Sequence, residues 1–261
     1  MKPLSPTVPA LVTGASSGIG EEFARQLAAR GHALTLVARR ADRLEALAMQ
    51  LRVLHGVTVR VLPADLSTAE GRHAVAAELR SRSPWLLINN AGLGWRGGFV
   101  EEDAAQAWQM LAVNVVALHD LAAAVLPGNL DAHDGGVVNL ASIAAFQPVP
   151  LMATYAASKA FVLSLSEALA EEVRGSRVRV MALCPGPVRT EFATTAGFTS
   201  RFDTAVHLGV GLCVRRALRA LDRGRVVYAP GALGYATRSA GRLLPRAVVR
   251  RLAGGVLRRA P

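Results

Sequence analysis

Short apolar runs alternate with helix-length amphipathic segments from the N-terminus onward. Residues 10–13, 33–38, 57–62, 85–88, 136–140 and 178–183 are apolar at consecutive positions rather than at every second one, the pattern of strands covered on both faces. Between them, residues 18–30, 41–54, 68–80, 101–125 and 154–174 carry helical periodicity. This β-α-β-α order predicts an α/β fold: a Rossmann-type doubly wound parallel sheet in three α/β/α layers with right-handed crossovers. Further on, 205–221 reads as a helix and 225–228 as a short last strand. Residues 233–244 and 246–259 then read as two amphipathic helices separated by Pro245. No linker or repeat interrupts the chain before residue 190, so one domain is expected over 1–230, with a helical extension over 231–261.

Composition narrows the class. Of 261 residues, 51% are apolar and the mean hydropathy is +0.29, which excludes a disordered chain. No apolar stretch is expected to reach the roughly 18–20 residues needed to cross a bilayer. The first nine residues hold three prolines and no apolar core of a secretory signal. Cys184 and Cys213 make neither a disulfide framework nor a metal set, and the six histidines are dispersed without ligand spacing. The expectation is a cytoplasmic protein without a metal site.

Ligands of doubly wound sheets bind beyond the carboxyl ends of the strands. After the first strand comes Thr13-Gly14-Ala15-Ser16-Ser17-Gly18-Ile19-Gly20, opening a helix. Glycines there allow a tight turn and a close backbone approach to a pyrophosphate seated on the free N–H groups of the helix. After the second strand, Ala38 stands where an acid for a ribose 2′-hydroxyl is common, and Arg39 and Arg40 follow. A guanidinium pairs with a 2′-phosphate through two charge-assisted bonds, so NADP(H) is favoured over NAD(H).

Four further signals lie at later strand ends or on the following helices: Asn89-Asn90-Ala91-Gly92, Asn114, Ser142, and Tyr155-Ala-Ala-Ser-Lys159. With the glycine-rich turn and Pro185-Gly186-Pro187-Val188-Arg189-Thr190, they resemble the compact single-domain branch of the short-chain dehydrogenase/reductase family, over about residues 8–191. Tyr155 and Lys159, four apart, share a helix face. A nearby ammonium would stabilise a phenolate and lower the tyrosine pKa, fitting Tyr155 as general acid in reduction and general base in oxidation. Ser142 would donate to the same carbonyl oxygen. Only Lys2 and Lys159 are lysines, against 28 arginines, which singles out position 159 as one wanting a compact ammonium.

The resemblance implies the remaining roles. Lys159 would hold the nicotinamide ribose, and Asn114 would position a relay water. Asp65, followed by Leu66, would contact the adenine amino group. Asn90, Ala91 and Gly92 would line the cofactor floor, beside Pro185 and Gly186, and Val188 and Thr190 would fix the carboxamide. Neutral Ser17 departs from members with a basic residue there, leaving 2′-phosphate selectivity to Arg39 and Arg40. The family often pairs through the helices holding Asn114 and Tyr155, so a homodimer or homotetramer is expected.

Six of the chain's ten Phe and Trp residues, Trp95, Phe99, Phe146, Phe192, Phe198 and Phe202, fall in the loops that would surround the substrate. With Leu93, Leu151 and Met152 they suggest an apolar pocket under a lid at about 191–208, taking a ketone, aldehyde or secondary alcohol. An alternative is a non-catalytic cofactor-sensing or membrane-associated scaffold protein that keeps the fold. The net charge of +11 lies wholly at one end: residues 1–199 balance 17 cations against 17 acids, and 200–261 hold 13 Arg and 2 Asp. Three readings of 231–261 stay open: packing on its own protein, contact with an anionic membrane surface, or nucleic-acid binding, which lacks aromatic interleaving.

Overall fold

The computed structural model describes residues 4–188, 190–192, 196–197, 208–243 and 245–258. The apolar runs become the strands of one parallel sheet: β1 Ala10–Thr13, β2 Leu34–Ala38, β3 Val59–Pro63, β4 Leu86–Asn89, β5 Gly136–Leu140, β6 Arg179–Leu183 and β7 Val227–Tyr228. Their order is β3-β2-β1-β4-β5-β6-β7. β1 sits between β2 and β4, with Ala10 level with Leu34 on one side and Leu86 on the other. The chain winds outward to β3 and returns to start β4, so a crevice opens between the carboxyl ends of β1 and β4.

Helices α1 (Gly18–Ala29), α2 (Ala41–His55) and α7 (Val210–Asp222) cover one face of the sheet through Phe23, Leu27, Leu44, Leu51 and Leu218, all essentially without solvent contact. On the other face, α3 (Ala69–Arg80), α5 (Leu118–Asp131) and α6 (Ala153–Glu172) contribute Val75, Leu79, Leu121, Val125 and Val162. Full burial of each such side chain stabilises the fold by about 1.5–3 kcal/mol. Buried consecutive residues in β1, β4 and β5 match the expectation of two covered faces. β3 departs from it: only Val59 is buried, because β3 is an edge strand. At the sheet's two edges, Arg52 donates to the Val59 carbonyl and Arg238 to the Val227 carbonyl.

The helix expected over 101–125 is placed differently. Phe99–Glu101 forms a 3₁₀ turn, and Asp103 caps α4 (Ala104–Leu111) by accepting from the Gln106 N–H. A π-helical turn, Ala112–Ala117, then joins α4 to α5, which continues through Pro127 to Asp131. The joined run 104–131 is long and apolar enough to cross a membrane by length and composition, against the expectation that no stretch is. Of its most apolar window, 56% is buried inside the protein, as in a core helix.

Beyond β7, α8 (Ala232–Leu243) packs on the 3₁₀ turn Ile143–Phe146, and α9 (Arg246–Arg258) follows. Of the expected lid, 193–195 and 198–207, including Phe198 and Phe202, lie outside the described residues.

Candidate active site

At the head of the crevice, two side chains, Thr13 and Asn90, lock the glycine-rich turn to the end of β4. The Thr13 hydroxyl accepts from the backbone N–H groups of Asn90 and Ala91, each at 2.9 Å. The Asn90 amide donates to the Thr13 carbonyl at 2.8 Å and approaches that of Gly14 at 3.4 Å. Gly14 is left-handed at φ +64°. A Cβ on Gly20 would lie 2.3 Å from the Gly14 carbonyl oxygen, so only glycine fits where α1 meets the turn. Ser17 precedes α1 in extended conformation without capping it through its side chain. This bare N-terminus, with Gly18 against Thr190 and half-buried Ile19 packed behind it, fits the pyrophosphate of a dinucleotide.

Arg39 is exposed at the end of β2, whereas Arg40 bends back over the turn. Arg40 donates to the Ser16 and Ser17 hydroxyls at 3.0 Å and pairs with Glu191 at 2.9 Å. Glu191 also holds Arg43 at 2.7 Å. The two guanidinium groups, Arg43 first, keep the Glu191 carboxyl below its ordinary range. Sequence reading misses Arg43 and Glu191, which lie 148 residues apart along the chain. Burial works against the charge of Asp65, but the Ser67 backbone N–H and hydroxyl, with Arg39 nearby, hold its carboxyl below the usual range. Leu66 is buried under α3's face of the sheet.

Further along, Ser142, Tyr155 and Lys159 converge beyond β5. Ser142 leads the Ile143–Phe146 turn, its hydroxyl accepting from the Ala144 N–H, while the Ile143 N–H donates to the Pro185 carbonyl. Gly186 lies between Ile143 and Leu233, and Val188 is half-buried. Burial pushes the Tyr155 hydroxyl up to about 12, with a hydrogen bond to Ser142 acting in the opposite direction. Burial likewise pushes Lys159 down to about 8.

Burial outweighs the other influences on the Tyr155 hydroxyl, and Lys159 is not among them in this arrangement. The Lys159 Nζ donates to the Leu140 carbonyl at 2.8 Å and lies 5.8 Å from the Tyr155 ring centroid. Asn114, in the π-helical turn, is fully buried. Its Oδ1 accepts from the Leu93 N–H at 2.8 Å, and its Nδ2 donates to the Leu93 carbonyl and the Ser158 hydroxyl. Ser158, which sequence reading misses, donates in turn to the Tyr155 carbonyl. A Cβ on Gly92 would lie 3.2 Å from Asn114 Oδ1 and 3.3 Å from Lys159 Nζ, so the backbone of 90–92 rests directly on this pair.

Around Tyr155 the expected apolar residues assemble. Met110, Val149, Met152 and Ala156 are buried with it, and Leu93, Trp95, Leu151 and Phe192 pack against them. The Phe192 ring stands 5.7 Å from that of Tyr155. Phe146 joins a neighbouring cluster instead, and Phe99 is 70% exposed. No group of three or more metal-ligating side chains occurs among the described residues.

A sequence model described as short chain dehydrogenase matches residues 9–199. Hydroxysteroid dehydrogenase-like protein 1 of Gallus gallus is 32% identical over 195 residues, covering 74% of this chain and 59% of that protein. The human relative at 29% identity, over the same shares of both chains, carries the name inactive hydroxysteroid dehydrogenase-like protein 1. The chain thus spans about 60% of the length of these curated relatives. Among solved structures, a short-chain dehydrogenase from Sphingobium yanoikuyae in complex with NADPH is 39% identical, with a TM-score of 0.85 over 93% of this chain and 95% of that one. A bulky-bulky ketone specific alcohol dehydrogenase from Comamonas testosteroni is 35% identical, with a TM-score of 0.80 over 91% and 92%. A short chain dehydrogenase/reductase from Burkholderia phymatum in complex with NAD is 27% identical, with a TM-score of 0.80 over 91% and 92%.

Proposed function

The chain belongs to the short-chain dehydrogenase family, and within it we propose an NADP(H)-dependent carbonyl reductase or alcohol dehydrogenase acting on bulky apolar substrates. The convergence of Tyr155, Ser142 and Lys159 under an apolar cluster carries this reading. When bound, the nicotinamide supplies or accepts the hydride at the carbonyl carbon. Everything else falls to the protein. Ser142 and Tyr155 hydroxyls donate to the carbonyl oxygen, stabilising the charge that develops on it. Tyr155, protonated throughout the neutral range, then gives up its proton to that oxygen.

Lys159 uses one of its three donors on Leu140, leaving two for the ribose hydroxyls. Asn114 positions Leu93 and Ser158, and its Oδ1 keeps a second lone pair for a relay water behind Lys159. The glycine-rich turn, with Asn90, Ala91 and Gly92 opposite, seats the dinucleotide. Arg40 and Arg43, with exposed Arg39, form the cationic surface that selects the 2′-phosphate. The NADPH-bound relative supports that preference, and the ketone-specific one supports the substrate class. Pairing through the face of α4–α6 is part of the same reading, because Trp108, Val116 and Phe161 are exposed there.

The test is a panel of aryl ketones and charged keto acids with NADPH and NADH. Faster turnover of the apolar ketones with NADPH is expected. Equal efficiency on a keto acid and an aryl ketone counts against the pocket. Tyr155→Phe should lower turnover by roughly 10²–10⁴-fold while NADPH still binds, whereas a cofactor sensor would bind NADPH without turnover and keep its function in the variant.

A further inference from the structure

We propose that α8 and α9 form an interfacial face that seats this protein on an anionic lipid surface. Between Asp222 and residue 261 the chain has nine arginines and no acid, so the segment meets any negatively charged surface without internal compensation. The orientation of the two helices carries the argument further. Among the described side chains, small residues, Val249 and the Arg238 hydrogen bond to the Val227 carbonyl hold them to the protein. A Cβ on Gly241 would come 2.7 Å from the Phe146 carbonyl oxygen, Gly254 lies against Pro150, and Val249 is buried.

Leu233, at the start of α8, faces Gly186, whereas three larger apolar side chains further along point the other way. Leu243 is 82% exposed, Leu252 60% and Val248 43%. Val248 and Leu252 lie four apart on one face of α9, and exposed Arg251 stands three residues from Val248. A helix packed only on its own domain turns its leucines inward and its arginines to water. Here leucine and arginine share the outward side, the arrangement of a helix lying in the headgroup region with apolar side chains below and guanidinium groups among phosphates. A second copy of the chain would cover the leucines yet oppose arginine to arginine, and a nucleic acid would use the arginines and leave the leucines in water. The docking point is the 146–150 segment, between Ser142 and Tyr155 in the chain, so the lipid surface would adjoin the substrate side of the protein.

Flotation of the full-length protein with phosphatidylcholine vesicles, with and without phosphatidylglycerol, tests the proposal. Binding is expected only with phosphatidylglycerol. The exposed-face variant L243S/V248S/L252S should weaken it by about tenfold or more while turnover of a water-soluble ketone is unchanged, and R250Q/R251Q should weaken it comparably. Absence of binding by wild type, or equal binding to both vesicles, overturns the proposal. So does a serine variant that binds like wild type while only the glutamine variant is weakened, which marks a polyanion site rather than a lipid one. Dissociation of a soluble dimer on serine substitution, without wild-type flotation, assigns the face to a second copy and also overturns it.

Discussion

Lys159 is a cation held at 3% exposure, and its energetics set function against stability. At low pH its ammonium is charged in both the folded and unfolded chain, and burial disfavours the folded one. Because the folded value of about 8 lies below the ordinary 10.5, this cost is full below pH 8 and fades as pH rises toward about 10.5. Lys159→Met should therefore raise folding stability below pH 8 by up to about 3 kcal/mol, with the gain vanishing near pH 10.5, while turnover collapses. Denaturant unfolding of both proteins across pH checks this; a constant difference would contradict it. Tyr155 shows what spacing conveys and what it leaves out. The i, i+4 relation places the two side chains on one helix face, as the sequence implies. Which acceptor the ammonium takes depends on the Leu140 carbonyl, brought in from another strand, and no local pattern encodes that choice.

At the scale of elements, the strands and most helices follow from apolar runs and caps. Thr68 is read as the start of α3 and proves to be its cap, accepting from the Gly71 N–H. The helix expected from 101 starts later, because Glu101 closes a 3₁₀ turn and Asp103 caps α4 at Ala104. A search for 3.6-residue periodicity also passes over the π-helical turn, which seats Asn114.

The Arg40–Glu191–Arg43 cluster joins the start of α2 to the segment after β6, a contact that only the folded sheet creates. Glu191 lies on the arginines that the proposed 2′-phosphate would use, so the two anions compete. Glu191→Gln should tighten NADPH by about two- to fivefold, the worth of an exposed ion pair, and leave NADH unchanged. Fluorescence titration with both cofactors distinguishes this from equal tightening of the two, which would sink the competition.

For the whole molecule, the charge is partitioned: residues 1–199 are balanced and the last 62 carry the +11. The exposed Trp108 lies away from that end in sequence, on α4, and 73% of it is open to solvent in a single chain. If α4–α6 pair two copies, light scattering should give a dimer or tetramer for wild type and a monomer for Trp108→Glu, with the fold intact by circular dichroism. A monomeric wild type removes this arrangement.

The two ends of the sheet bear on a different hazard. An open strand edge is a template on which another chain can add a strand and begin an aggregate. β7 offers only two residues for such growth, and Arg238 occupies the Val227 carbonyl; at the opposite end Arg52 occupies that of Val59. Arginine, so abundant in this chain, thus covers an outward carbonyl at both edges and obstructs templated growth there.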